Sequence, residues 1–301
     1  MFFRIRRKLA MAQFQSRCRG IRQTEPIRCE PAPLKILSLV SHDDIPLYLL
    51  AIKTLYQRIG EGAVVILNDG SLTPDDELLL REQIRGLEMV HVKDIDKGEF
   101  PQGGCWERLL LAMRLCEQQY VIQVDSDTLT AGAVDEVVEC YRANRAFLLG
   151  TQTGIEIVPV EKSAEFARRL PGSHLQIAAE RNLDQIGFRP DLRYTRASAG
   201  FAGFPRATCD KELLRDFSVA MARRLGARWR EWGSEQVASN FVLSNTDGAE
   251  VLPYPKYACF SPAVRWQDAA FLHFIGPHRF HQGLYGKLGQ RAIEDLEKRP
   301  S

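Results

Sequence analysis

Four short apolar runs, separated by helix-like stretches, constrain this chain more than any other feature. Leu34–Val40, Ala63–Leu67, Met89–Val92 and Tyr120–Val124 each have the length and apolar content of a strand. Between them, Ile45–Ile59 and Trp106–Cys116 read as helices, the first with Pro46 tolerated in its opening turn. A further helix opens at Thr73-Pro74-Asp75-Asp76, where an N-cap hydroxyl, an N1 proline and first-turn carboxylates coincide. Strands alternating with helices at this spacing predict an α/β fold with a mostly parallel sheet and right-handed crossovers. In such sheets ligands bind beyond the carboxyl ends of the strands.

Two of these strands end in acids. Ala63–Leu67 runs into Asn68-Asp69-Gly70-Ser71, a turn signal, and Tyr120–Val124 runs into Asp125-Ser126-Asp127-Thr128-Leu129. Alternate side chains of an extended segment point the same way, so Asp125 and Asp127 can grip one divalent cation between them. A hard cation held by one or two protein carboxylates usually completes its shell with water and substrate phosphates. The pattern therefore points to a metal–diphosphate site. An Asp-nucleophile phosphatase is the competing chemistry. Haloacid-dehalogenase-like families carry Asp-x-Asp-x-Thr/Val on their first strand, whereas here Leu129 takes the last place and three other strands come first.

Charge is distributed unevenly. The net charge of +2 gives no reason to expect a nucleic-acid partner, but the first 35 residues hold nine Lys/Arg against Glu25 and Glu30. That basic leader has two readings: a loosely docked arm ahead of the folded domain, or an interfacial anchor in which the aromatic and cationic groups of Met1–Leu9 meet anionic lipid. It lacks the apolar core of a signal peptide, and no stretch reaches the roughly 18 apolar residues of a membrane span. The seven cysteines form no CxxC pair and read as reduced thiols of a cytoplasmic protein. The expected organisation is a leader over 1–33, a domain over 34–290 with halves at 34–150 and 151–290, and a tail over 291–301.

Beyond residue 150, Glu161–Leu183 looks helical with a break at Pro171-Gly172-Ser173. The small and aromatic Ser198–Phe204 would let backbone approach a ligand. Ser234–Leu243 reads as a helix with Ser234 as N-cap, Phe271–Ile275 as a last strand, and Ala292–Lys298 as part of a terminal helix. Three of the six histidines fall in His273-Phe-Ile-Gly276-Pro-His278-Arg279-Phe280-His281. His273 is a candidate third metal ligand, and an imidazole beside two carboxylates suits Mn²⁺ better than Mg²⁺. Arg279 offers a bidentate fork for phosphate oxygens.

Taken together, these motifs resemble a GT-A-fold (Rossmann-like) nucleotide-sugar glycosyltransferase, closest to the glycogenin-like and bacterial lipopolysaccharide sugar-transferase group. In that group a strand ending Leu-Asp-x-Asp-Thr-Leu supplies two metal-binding aspartates, matched by Val124–Leu129. A distant His-x-x-Gly-x-x-Lys-Pro supplies a third ligand and a diphosphate contact, matched by His273, Gly276 and Arg279, with Phe280 in place of Pro. Ser198–Phe204 resembles the group's Asn-Ala-Gly segment with Ser for Asn. Trp232-Gly-Ser-Glu235-Gln236 resembles its Asp-Gln-Asp segment, and equally the Trp-Gly-x-Glu-Asp of inverting relatives. Asp69 is similar to the Asp of an Asp-Gly-Ser turn that faces the nucleobase.

What the resemblance implies is a metal-dependent sugar transfer, from a UDP-sugar by expectation, to a glycan or lipid-linked acceptor. The leader lies outside the resemblance; its cations, on a cytoplasmic enzyme, give the separate expectation of peripheral contact at the inner membrane face. Asp125, Asp127 and His273 would bind Mn²⁺ or Mg²⁺. Asp69, Arg108, Ser126, Gly276 and Arg279 would bind the donor. Glu235 would be the general base of an inverting reaction; in a retaining one Gln236 or Glu235 would stabilise an oxocarbenium-like sugar. A catalytically silent nucleotide-sugar-binding protein is the alternative from another class.

Overall fold

The computed structural model describes residues 2–208 and 210–298, with the side chains of residues 2–8 and Pro277 excepted. The thiol of Cys209, the last three residues of the tail and all side chains of the Met1–Leu9 segment except Leu9 therefore lie outside the described residues. The fold is mixed α/β with a central, mostly parallel sheet. The chain forms two compact units. One comprises Met1–His91, Val124–Val138 and Pro255–Ser301, the other Val92–Gln123 and Glu139–Tyr254.

In the first unit, strands Leu34–Val40, Ala63–Asn68 and Glu88–His91 run parallel in that order, aligning Val40, Asn68 and His91 at their carboxyl ends. Thr73 caps the helix Pro74–Gln83 in a reciprocal capping box with Asp76, as its sequence predicts. Helix Ile45–Ile59 buries nearly all of its first three turns. Its Thr54 hydroxyl accepts the Thr130 amide at 3.3 Å, tying the helix to a second small sheet. That sheet orders Tyr257–Cys259, Phe271–His273 and Thr128–Thr130, the last two antiparallel with His273 opposite Thr128.

The leader is an integral part of this unit, unlike the loose arm its composition suggests. Residues Phe2–Arg17 form a helix, and Phe14, Cys18, Ile21 and Thr24 are buried. Phe14 packs on Tyr285 of the terminal helix Leu284–Lys298, ring centroids 4.6 Å apart. That helix approaches closely through Gly289, where an added Cβ would sit 2.7 Å from Cys18 Sγ and 2.8 Å from Leu50 Cδ2. Burial pushes the Cys18 thiol up to about 12, which keeps it protonated and unreactive. Beyond the helix, Lys53 Nζ donates to Thr24 Oγ1 at 2.8 Å, to backbone carbonyls of the leader and to Gln83 Oε1 at 2.6 Å. Alternation of apolar residues was masked here by the cations, so the leader's buried stripe was not legible.

The second unit orders strands Glu250–Val251, Phe147–Gly150, Ala197–Phe204 and Tyr120–Val124. The segment Ser198–Phe204 is thus a fully buried strand, antiparallel to Phe147–Gly150 and bulged between Ser198 and Ala202. The Pro171–Ser173 break is real: helices run Val160–Arg169 and Leu175–Glu180. The helix Ser234–Ser244 is preceded by Gly233 at φ +100°, so Ser234 is its first residue and not its cap. The Ser234 hydroxyl instead accepts the Trp106 indole N–H at 2.8 Å. Trp106, Trp229, Phe217 and Phe241 make an aromatic core.

Two outcomes follow from the packed leader. Phe14→Ala is expected to lower stability by about 3–5 kcal/mol in urea unfolding, the cost of emptying a buried aromatic site. Burial also pulls the Lys53 pKa down to about 8, so between there and its ordinary value the unfolded chain binds more protons than the native one. Wild-type stability should therefore rise relative to Lys53→Met as pH increases from 8 to about 10.

Candidate metal centre

Asp125 and Asp127 leave the strand Tyr120–Val124 in a tight connection before Thr128–Thr130, closed by the Thr128 hydroxyl donating to the Asp125 carbonyl at 3.0 Å. The antiparallel pairing of Thr128 with His273 then sets the imidazole beside both carboxylates. His273 Nε2 lies 3.0 Å from Asp127 Oδ1 and 3.4 Å from Asp125 Oδ2, and the three ligand atoms all fall within 4.8 Å of one another. A hard octahedral cation with bonds of about 2.1 Å separates neighbouring ligands by about 3 Å. Donor chemistry and spacing both fit a small divalent cation.

The surroundings are charged and largely dry. His273 is 3% exposed and Asp127 6%. Burial alone would lower the His273 pKa, but Asp127 and Asp125 outweigh it and hold the imidazole well above its ordinary value. Arg279 Nη2 donates to Asp127 Oδ2 at 2.5 Å, and its Nε donates to the Phe274 carbonyl at 3.3 Å. The Phe274 amide in turn donates to the Asp127 carbonyl at 2.8 Å, so the His273–Arg279 segment is laced to the Asp-x-Asp turn. Tyr285 OH donates to the Thr128 carbonyl at 3.1 Å from below.

Four expected residues thus converge: Asp125, Asp127, His273 and Arg279. Ser126 is nearly buried, its hydroxyl 3.5 Å from the Leu39 carbonyl. Gly276 takes φ +55°, a left-handed turn favouring glycine, with open space where a Cβ would be. Asp69 is exposed, and its carboxylate accepts the Ser71 amide at 2.9 Å and the Ser71 hydroxyl at 2.6 Å in a local turn. Asp44 was not anticipated. It follows the first strand, accepts the Ser41 hydroxyl at 2.7 Å, and feels the charges of both Arg279 and Asp127. Burial raises its pKa. The carboxyl-end rule that selected Asp69 applies equally to Asp44, so the signal was present.

In the second unit, Arg108 and Glu235 face each other. Arg108 Nη2 sits 3.3 Å from Glu235 Oε1, and both residues are buried. The neighbouring Gln236 is half-buried. Its Oε1 accepts the Ala199 amide at 3.2 Å, and its Nε2 donates to Gln176 Oε1 at 3.1 Å. Gln176 Nε2 donates onward to Glu180 Oε1 at 3.0 Å, which also receives the Tyr194 hydroxyl at 3.0 Å. Glu180 pairs with Arg196 as well, and burial raises its pKa despite these partners. Gln176 and Glu180 carry no motif, and only the folded chain shows them supporting Gln236.

No protein-family model matches the chain, and no curated protein matches its sequence. Among solved structures it is similar to the bifunctional glycosyltransferase WbbM in its apo form, at 13% identity and TM-score 0.53. That match covers 88% of this chain and 51% of WbbM, so the chain spans about half of that relative's length. It is also similar to the galactosyltransferase LgtC in complex with donor and acceptor sugar analogues, at 10% identity and TM-score 0.51, covering 89% of this chain and 96% of LgtC. An active-site mutant of LgtC gives 12% identity and TM-score 0.52. The chain has the GT-A fold of these glycosyltransferases.

Removing one partner of a buried ion pair strands the other charge, which usually costs about 3–5 kcal/mol. Glu235→Leu and Arg108→Met are each expected to destabilise by about that amount in urea unfolding, and the double variant by less than their sum.

Proposed function

We propose that the protein is a metal-dependent glycosyltransferase that moves a sugar from a nucleotide-diphosphate sugar, a UDP-sugar in the first instance, to a glycan or lipid-linked acceptor. The observation that carries this reading is the Asp125–Asp127–His273 cluster on a GT-A fold, with Arg279 beside it. These three residues would hold Mn²⁺ or Mg²⁺. Bound there, the cation supplies Lewis-acid neutralisation of the departing diphosphate.

The chain's own contribution is positional and electrostatic. Arg279 carries a permanent positive charge on the rim of the cluster and is the side chain to clamp diphosphate oxygens, exchanging one oxyanion partner for another. Gly276 permits the turn that presents it. Ser126 fixes the Asp-x-Asp turn, and Asp69 contacts the ribose or base. In this reading Arg108, expected to bind the donor, and Glu235, expected as the base, pair with each other and act as supports for the adjacent Gln236. Gln236 has both ends of its amide held, yet keeps one lone pair and one N–H for a sugar or acceptor hydroxyl. This arrangement favours Gln236 over Glu235 as the group that touches substrate. Among the described residues no helix is long and apolar enough to cross a membrane.

Calorimetric titration of UDP tests the reading. Binding is expected with Mn²⁺ and absent with EDTA, and Asp127→Ala should abolish it. Failure of UDP, GDP and CMP alike to bind with Mn²⁺ would contradict the function. Binding of a nucleotide with no transfer from any of its sugars would identify a silent binding protein.

A further inference from the structure

A cavity of about 440 Å³ opens beside the terminal helix, in the first unit but outside the carboxylate cluster. Its walls are of two kinds. Phe260, Trp266 and Leu288 give an apolar side, with Phe260 4% and Leu288 9% exposed. Lys287 and Arg291 give a cationic side with His281 beside them, and among the described residues no carboxylate lines the space. Lys287 and Arg291 are four residues apart on one helix, so they share a face. Like charges at that spacing destabilise a helix unless an anion lies between them. Both side chains are exposed, and neither makes an ion pair among the described residues, although Glu294 and Asp295 follow Arg291 on the same helix. Gln282, also in the lining, takes φ +51°, a left-handed backbone that a non-glycine residue adopts at some cost.

We propose that this cavity binds a phosphate-bearing amphiphile. Lys287 and Arg291 hold the phosphate, and Phe260, Trp266 and Leu288 cover the first part of its apolar chain. Phosphate alone would engage the cations and leave the aromatic wall in water, whereas an uncharged apolar ligand would cover that wall and leave the cations in water. The volume lies in the range that encloses a small ligand. The site is separate from the Asp-x-Asp cluster and stands whether or not that cluster binds a nucleotide.

The test is calorimetric titration of the full chain with n-octyl phosphate below its micelle concentration, with inorganic phosphate and with n-octanol. Octyl phosphate is expected to bind at least about tenfold more tightly than either fragment. Lys287→Glu/Arg291→Glu, at exposed positions, should weaken it by about tenfold or more. Trp266→Ala should weaken octyl phosphate and leave inorganic phosphate unchanged. Sedimentation with phosphatidylglycerol vesicles, against phosphatidylcholine vesicles, separates the natural sources. Loss of that sedimentation in the charge-reversed variant assigns the phosphate to a bilayer headgroup; its persistence, with octyl phosphate binding lost, assigns it to a single soluble or lipid-linked amphiphile. Equal binding of inorganic and octyl phosphate, or unchanged octyl phosphate binding in both variants, would overturn the proposal.

Discussion

The Asp127 carboxylate is the group around which the first unit closes. One oxygen meets His273 and the other meets Arg279, residues 146 and 152 positions further along the chain. Its own backbone carbonyl accepts the Phe274 amide. Two carboxylates placed side by side away from water repel, and such a pair persists only with compensating positive charge. A protonated His273 and Arg279 provide that charge, and Asp44 adds to the demand for it. A divalent cation would replace the imidazole proton as the compensating charge, because His273 must be neutral to ligate. What stabilises the turn in the free chain is therefore also what a metal and a diphosphate would take over.

Support for this cluster comes from hydrophobic packing behind it. Phe274 stacks on Tyr285 at 4.1 Å, Tyr285 packs on Phe14, and Phe260 packs on Phe274 at 5.1 Å. The basic leader thereby reaches the back of the site through two aromatic contacts. Lys53 fixes the leader's far end with hydrogen bonds to the Ile21, Thr24 and Glu25 carbonyls. The leader acts as a structural element first. Any membrane role belongs to its solvent-facing cations.

Much of this was legible from residue pattern. The alternation of apolar runs and helices gave the α/β class because it is local and periodic, whereas the Asp-x-Asp turn and the His-x-x-Gly-x-x-Arg segment, 146 residues apart at Asp127 and His273, were linked through the family resemblance. The packed leader was hidden because its buried Phe14, Cys18 and Ile21 are interleaved with arginines. Ser198–Phe204 reads as a segment where backbone could approach a ligand; that it is a strand whose small residues also serve close packing is visible only in the fold, where a Cβ on Gly203 would meet Phe147 and the Tyr120 hydroxyl at 2.3 Å. The resemblance gave Arg108 and Glu235 separate roles. Their pairing depends on the fold of the second unit, and no local pattern reports it.

The central claim is that Asp125, Asp127 and His273 form one divalent-cation site. Electron paramagnetic resonance of Mn²⁺ titrated into the purified chain, without nucleotide, tests it most directly. The account predicts one bound Mn²⁺ per chain, lost or weakened by at least about tenfold in His273→Ala. Mn²⁺ that stays free in solution, or binding that His273→Ala leaves unchanged, would contradict it.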